Sequence, residues 1–405
     1  MSLRIPARWA VMGVFILSSA LNYLDRQILA ALAPLLREEF RLSNADYGLV
    51  LTAFSLTYAL CSPGAGLLLD RFGLNRGISV GVTAWSLAGM ATGFVRGLPD
   101  LVACRAALGA AESCGVPAVA KAIHRYLLPA ERALGNALSQ IGLSAGAILA
   151  PPLATWFALR YGWRPAFVFT GALGLIWVPL WLWASRKAPP VEPEGTAAAT
   201  ARQAGVLLRD ARLWAFVAAN ILSMPVYTLW SNWTTLFLKD AQGATLVEAN
   251  LLAPIPNFFA YAGGLAGGYL SLRWIRRGAA ALDARRRVCL LSAAAMLATA
   301  AVPWMPGPAW AAAAISLSFF SITAWSVNLY TMPLDAFGGR HAAFAVSLLT
   351  GAYGAMQALI SPLIGATIDR FGYGPVCAVA AVLPAAAYGI LHLTRNLRGC
   401  PLSHS

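Results

Sequence analysis

The most informative part of the sequence is a short charged stretch that separates two apolar runs: Gly66-Leu67-Leu68-Leu69-Asp70-Arg71-Phe72-Gly73-Leu74-Asn75-Arg76. The run on each side, near residues 45–69 and 77–96, is long enough for a membrane-spanning helix, which needs about 20 mainly apolar residues. Gly66 allows close helix approach, and Asp70 can cap a neighbouring helix or pair with an arginine. A charged loop alone would not require this spacing of glycines around an aspartate. The stretch therefore predicts a gate at one membrane surface, formed by Gly66, Asp70, Arg71 and Gly73.

The composition of the chain places most of its surface in lipid. Of 405 residues, 59% are hydrophobic and 11% are charged, whereas soluble domains have about 25% charged residues. Spanning helices are predicted near residues 9–36, 45–69, 77–96, 98–125, 133–159, 165–184, 214–238, 245–272, 287–304, 308–334, 341–368 and 373–393. The predicted fold class is an all-α membrane protein with twelve transmembrane helices.

A polar stretch divides these segments into two sets of six. It contains Pro189-Pro190 and Glu192-Pro193-Glu194-Gly195, and nothing in it could span a bilayer. We therefore expect an N-terminal six-helix bundle at 1–184, a cytoplasmic linker at 185–212, a C-terminal six-helix bundle at 213–394 and a cytoplasmic tail at 395–405.

An internal repeat indicates that the two bundles are pseudo-symmetric. A shift of 210 residues places Arg160 on Arg370 and Gly162 on Gly372, so helices five and six correspond to eleven and twelve. Parallel six-helix halves with a substrate path between them are one of the known architectures of membrane transporters.

The charge distribution predicts the orientation. The net charge of +14 does not indicate nucleic-acid binding, because no nucleic-acid-binding pattern is present and the charges lie between apolar runs. With the N-terminus inside, 21 of the 30 Lys and Arg residues fall on the cytoplasmic side and 7 outside, as the positive-inside rule requires. The first apolar run lacks a cleavage site and is predicted to stay as helix one. We expect a multi-pass protein of the bacterial inner membrane with both termini in the cytoplasm.

Four ionisable residues are predicted at membrane depth: Asp25, Arg26, Arg105 and Glu112. A charge there costs at least about 2.5–3.5 kcal/mol, so a functional role with charged partners is the first interpretation. Glu112 could partner Arg26, or Arg105 could partner Asp25. The alternative interpretation is a static ion-pair network that holds helices one and four together. The six cysteines show no metal-ligand spacing, and no metal site or cofactor is predicted.

Several motifs resemble those of one transporter family. The stretch at 66–76 resembles the loop signature of the major facilitator superfamily, G-x-x-x-D-R-x-G-R-R, although Leu74-Asn75 departs from its basic pair. Its second-half counterpart near residues 267–273 has Leu272 where relatives usually have aspartate. The helix-one motif at 22–26 and the helix-four motif at 105–118 are similar to those of the anion:cation symporter family, which includes hexuronate and galactonate permeases and sialin-type transporters.

The resemblance implies a function and a role for each intramembrane charge. Asp25 and Glu112 would take up protons, Arg26 would bind the substrate carboxylate, and Arg105 would tune the proton affinity of Glu112. Tyr23 and Tyr58 match cavity-lining tyrosines. The implied activity is secondary active symport of protons with a small organic anion, such as a sugar acid, by alternating access.

Polar and aromatic residues elsewhere are candidates for substrate selectivity. Gln140 in helix five could hydrogen-bond substrate hydroxyls, and Trp230 and Asn232 in helix seven could line the substrate path. For the two helix-seven residues, helix packing is an equally good interpretation. The predicted partners are the small organic anion, protons and the lipid bilayer, and we expect a transporter that functions as a monomer.

Two other functions fit parts of the pattern. Lysolipid or sphingolipid exporters of the same superfamily share the helix-one and helix-four motifs. A membrane-embedded enzyme or a non-transporting nutrient sensor belongs to a different class. The enzyme is disfavoured because the four histidines fall near predicted helix ends or in the tail, without a paired acid or nucleophile.

Overall fold

The structure is a computed structural model that describes residues 7–128, 131–187, 207–337 and 339–394. The contacts divide the chain into two compact units, Met1–Thr196 and Ala197–Ser405. Most of the predicted linker and all of the predicted tail lie outside the described residues. Every regular element of the described residues is helical, which confirms the all-α fold class.

The first unit contains seven of the α-helices described here. They are α1 (Ala7–Phe40), α2 (Asn44–Phe72), α3 (Leu74–Ala91), α4 (Leu98–Glu112), α5 (Gly115–Tyr126), α6 (Arg132–Arg160) and α7 (Arg164–Ser185). The prediction of one continuous helix over 98–125 is wrong in detail, because the chain breaks between α4 and α5. The Ser113 hydroxyl donates to the Ala110 carbonyl at 2.7 Å in this break. Glu112 is therefore the last residue of α4.

The second unit has two further breaks. Its helices are α8 (Ala211–Ser223), α9 (Pro225–Asp240), α10 (Leu246–Leu252), α11 (Pro254–Arg276), α12 (Ala281–Met296), α13 (Pro308–Phe337), α14 (Gly339–Phe371) and α15 (Tyr373–Leu393). The predicted helices over 214–238 and 245–272 are each divided, before Pro225 and Pro254. Proline has no backbone N–H and cannot continue a helix without distortion. A 3₁₀ segment, Leu297–Trp304, continues α12.

Joining the broken pairs produces twelve consecutive segments that match the predicted ones. Eight helices in the described residues are long and apolar enough to cross a membrane on those criteria alone. The segment formed by α4 and α5 is not among these eight, and it contains a break and carries Arg105 and Glu112.

The turns after α6 and α14 support the 210-residue repeat. Gly162 and Gly372 have φ values of 82° and 72°, in the left-handed region that favours glycine. Each glycine lies between a long helix and the helix that follows it. The repeated sequence therefore forms the same local structure twice.

Polar contacts mark the two ends of the first unit. At one end, Glu131 before α6 accepts from the side chains of Arg8 and Trp9 at the start of α1, at 2.9–3.2 Å. At the other end, Glu39 near the end of α1 accepts from Trp163 at 2.5 Å and from Arg164 at 2.7 Å. These contacts fix α1 against α6 and α7 at its two ends.

A similar helix crossing occurs in each unit. In the first, Phe54-Ser55-Leu56-Thr57 of α2 packs on Gly109 of α4, and the Thr57 hydroxyl lies 2.8 Å from the Ala106 carbonyl of α4. In the second, Phe320-Ser321-Ile322-Thr323 of α13 packs in the same way on Gly263 of α11, and Thr323 donates to Ala260. Small residues allow these backbones to approach closely. Both crossings use a Phe-Ser-aliphatic-Thr sequence.

Candidate functional site

The centre of the candidate site is an ion pair between α1 and α4. Arg26 Nε donates to Glu112 Oε2 at 2.6 Å. The Glu112 side chain is fully buried, whereas the Arg26 side chain is 25% exposed. The structure thus forms one of the two predicted partnerships. Because one member is partly exposed, the guanidinium remains accessible to a ligand.

Aromatic rings surround the Arg26 guanidinium. Its Cζ lies 5.4 Å from the ring centroid of Tyr23, 4.8 Å from that of Phe54 and 4.9 Å from that of Tyr58. Cation–π attraction of this kind contributes about 0.5–2 kcal/mol, depending on desolvation. The three rings hold the guanidinium in one orientation and surround it with apolar surface. Both predicted tyrosines therefore contact Arg26.

Asp25 and Arg105 form the deeper part of the site. Their relative exposures are 3% and 2%. Within the described part of the chain, no group lies in hydrogen-bond geometry with either Asp25 carboxylate oxygen or with Arg105 Nε and Nη2. Arg105 lies 5.7 Å from the Phe167 ring and close enough to Asp25 and Glu112 to interact with their charges. The second predicted partnership is therefore a charge interaction without an ion pair among the described residues.

Close helix contacts hold the four charged residues in place. A Cβ added at Gly146 of α6 would lie 2.9 Å from the backbone nitrogen of Leu24, so only glycine lets α6 approach α1 beside Asp25. Gly109 of α4 likewise allows α4 to approach α2 closely, one helical turn before Glu112. The site is thus built where α1 contacts α6 and α2 contacts α4.

The predicted gate lies at the junction of α2 and α3. Gly66, Asp70 and Arg71 fall in α2, and Gly73 follows it with a φ of 76°. The side chain of Asp70 and the surroundings of Gly66 lie outside the described part of the structure. Asn75, which departs from the family's basic pair, accepts a hydrogen bond from the Tyr126 hydroxyl at 3.0 Å. This contact joins α3 to α5 within the first unit.

The remaining predicted residues have different surroundings. Gln140 lies in α6 with an exposed side chain. Trp230 is 1% exposed and packs edge-on against Phe237 at 5.4 Å, and its Nε1 has no hydrogen-bond partner. Asn232 donates to the Thr228 carbonyl of its own helix at 2.9 Å. Trp230 and Asn232 belong to the second unit, whereas the ion pair belongs to the first.

Sequence reasoning missed three residues of the site. Phe54 contacts Arg26, and its position four residues before Tyr58 places both rings on one face of α2. Asn22 lies near Glu112, and Thr170 of α7 lies near Asp25. Asn22 stands directly before Tyr23 in the helix-one motif, so the motif itself carried that signal. No sequence signal pointed to Thr170, because lone threonines are common in membrane helices.

A bundle of apolar helices around a buried ionic site, with paired units, is the organisation of a membrane transporter. The sequence matches the Major Facilitator Superfamily over residues 15–348, and the chain belongs to this superfamily. It is a transporter and not an enzyme, and its motifs and relatives place it with the anion:cation symporters.

The similar proteins include several sugar-acid transporters. The hexuronate transporter of Escherichia coli strain K12 is 30% identical over 395 residues, which cover 93% of this chain and 91% of that protein. The D-galactonate transporter of Escherichia coli O6:H1 is 25% identical, with 95% of each chain covered. Among solved structures, an inward-facing, occupied bacterial homolog of the human lysosomal transporter Spinster has a TM-score of 0.76 at 20% identity. It covers 96% of this chain and 97% of that chain, a likeness in fold.

Proposed function

We propose that this protein is a proton-coupled symporter of sugar acids, with hexuronates or hexonates as its substrate class. The observation that carries the proposal is the partly exposed Arg26, which is bound to a buried glutamate and surrounded by aromatic rings. Glu112 is bound by Nε, and the Nη side of the guanidinium faces Tyr58 and the position that we assign to a substrate carboxylate. The names of the relatives support sugar acids as the substrates.

Charge balance explains the coupling to protons. Asp25, Arg26, Arg105 and Glu112 carry no net charge when all are ionised, so a bound anion adds one uncompensated negative charge at membrane depth. Such a charge is costly, and a proton on Glu112 removes it. Protonated Glu112 also releases Arg26 from its ion pair. Substrate and proton therefore bind favourably together, and Asp25 supplies a second position for a proton beside Arg105.

The remaining assignments belong to the same proposal. Gln140, Trp230 and Asn232 are candidates for contacts with substrate hydroxyls. The gate at Gly66–Gly73 closes the cytoplasmic side, and two six-helix bundles at 1–184 and 213–394 alternate access to the site. The protein works as a monomer in the bacterial inner membrane, with both termini in the cytoplasm.

A binding experiment with Arg26→Lys tests the proposal. The lysine variant keeps the positive charge but loses the planar fork that matches a carboxylate. We expect galacturonate, glucuronate or galactonate to raise the melting temperature of the purified wild-type protein, because a ligand of the folded state stabilises it. In the variant, affinity should fall by about ten- to a hundredfold.

Three comparisons make this experiment decisive. Neutral galactose should not stabilise the wild type, and Arg160→Lys, at an exposed helix end, should bind as the wild type does. Unchanged affinity in Arg26→Lys would remove this arginine from the binding site. Stabilisation by lysolipids but by no sugar acid would favour the lipid-exporter alternative.

A further inference from the structure

The corner between α11 and α12 carries a group of arginines that have no acidic partner among the described residues. Arg273, Arg276, Arg277 and Arg287 are all exposed, and none lies within ion-pair distance of a carboxylate in the described residues. The nearby acids are already engaged, since Asp283 pairs with Arg286 at 3.3 Å and Asp335 pairs with Arg285. We name Arg273, Arg276, Arg277 and Arg287 the corner arginines.

The backbone of the corner keeps these arginines close together. The Ala279 N–H donates to the Trp274 carbonyl at 3.1 Å, and the Gly278 N–H donates to the Ile275 carbonyl at 2.9 Å. Gly278 has a φ of 93°, which reverses the chain tightly. Arg287 returns over the Trp274 ring, with its Cζ 6.0 Å from the centroid. Arginines from both helices therefore share one surface.

An exposed apolar stripe leads to the corner along α11. Leu265, Tyr269 and Leu272 are 77%, 65% and 42% exposed. Their spacing of four and three residues continues to Arg276, so all four lie on one helix face. In a chain that spans a bilayer, an exposed apolar face that ends at arginines suits a lipid whose tails lie along the face and whose headgroup lies at the arginines. Tryptophan, here Trp274, prefers the same depth.

We propose that the corner arginines and this stripe form a binding site for an anionic phospholipid such as phosphatidylglycerol. The acyl chain lies along Leu265, Tyr269 and Leu272. The guanidinium groups of Arg273, Arg276 and Arg277 bind the phosphate, for which their forked donors are well suited. Positive charge that merely sets topology needs neither the apolar stripe nor unpaired arginines at one corner. This site is independent of the sugar-acid site.

Lipid titration of the delipidated protein in neutral detergent tests the site. We expect dioleoyl-phosphatidylglycerol to raise the melting temperature and to be retained in native mass spectra, whereas dioleoyl-phosphatidylcholine is not. The triple variant R273Q/R276Q/R277Q should bind phosphatidylglycerol about a hundredfold more weakly, since each arginine near a headgroup contributes about fivefold. The matched control R96Q/R160Q/R370Q removes three exposed arginines elsewhere and should bind as the wild type does.

Specific outcomes would overturn the site. Equal binding of the two lipids, unchanged binding in the corner variant, or an equal loss in the control variant would each show that no dedicated site exists. Inorganic phosphate should not displace phosphatidylglycerol if the acyl chain also binds. Complete displacement at millimolar phosphate would show that the apolar stripe does not bind the acyl chain. Should the triple variant fail to fold, R276Q and R277Q singly are each expected to lose about fivefold.

Discussion

For single residues, the sequence predicts which charged side chains form the site but not how they pair. Charges at membrane depth are rare enough that the sequence indicated all four charged residues of the site. It could not decide which charges pair, because Asp25 and Arg26 are adjacent and point about 100° apart around α1. Only the rotation of α1 against α4 decides whether Arg26 meets Glu112 or Asp25 meets Arg105. The structure selects Arg26, at 2.6 Å.

Replacing Phe54 tests the aromatic setting of this arginine. Phe54→Leu keeps an apolar side chain of similar size but removes the ring 4.8 Å from the guanidinium. We expect sugar-acid affinity to fall by about two- to thirtyfold, the range that corresponds to a lost cation–π interaction of about 0.5–2 kcal/mol. Isothermal titration of the purified variant measures it. Phe54→Tyr should retain affinity, and Phe94→Leu, at a 70% exposed position, is the matched control. Equal affinities in Phe54→Leu and wild type would show that the ring does not support binding.

At the scale of helices, the sequence predicted which segments are helical better than where they break. Pro225 and Pro254 mark two of the breaks, and proline is a direct signal. The break between α4 and α5 has the same kind of signal in Pro117, which has no N–H to donate to the Ser113 carbonyl four residues earlier. Gly109, in contrast, looks ordinary in sequence, because a glycine shows its importance only when the partner helix is known.

The crossing of α2 and α4 should depend on Gly109. A Cβ there would lie 2.5 Å from Thr57 Oγ1 and 3.0 Å from the Phe54 carbonyl carbon, which forces the helices apart. We expect Gly109→Ala to destabilise the protein by about 1–3 kcal/mol and to weaken substrate binding, because Phe54 and Glu112 both move. Gly13→Ala is the control, since nothing lies within 4 Å of its Cβ position. Equal melting temperatures of the two variants would show that the close approach of α2 and α4 does not require glycine at position 109.

The contact between Arg8 and Glu131 should make stability depend on pH at one end of the first unit. Hydrogen bonds from Arg8 lower the pKa of Glu131 below its ordinary value. A carboxyl whose folded-state pKa is lowered stabilises the fold above its unfolded value of about 4.3, and this stabilisation is lost as pH falls through the folded value. Glu131→Gln should therefore lower the melting temperature at pH 7 and reduce its decline below about pH 5.

Since Glu131 is on the surface, the effect should be small, and a double-mutant cycle with Arg8→Gln isolates it. Additive effects of the two substitutions would show that the contact does not contribute to stability.

For the whole molecule, the question is whether the buried charges link two transported species. The two-unit organisation and the membrane-transporter class followed from hydropathy, the repeat and the motifs. The sequence offered the pair of Glu112 and Arg26 as one of two possible partnerships, and the structure forms this pair. Under the proposed function, Glu112 and a substrate carboxylate compete for one guanidinium, and a proton on Glu112 relieves this competition.

Asp25→Asn and Glu112→Gln should separate accumulation from exchange. Each amide has nearly the size of the acid but cannot release a proton, so a proton gradient can no longer drive net uptake. Exchange of substrate across the membrane requires no net proton movement and should persist at a reduced rate.

Proteoliposomes with an imposed proton gradient measure accumulation of labelled galacturonate, and preloaded vesicles without a gradient measure exchange. The wild type should do both, and a protonophore should abolish its accumulation alone. If both variants still accumulate substrate against its gradient, Asp25 and Glu112 are structural and the coupling lies elsewhere; if both lose exchange as well, they serve binding and not coupling.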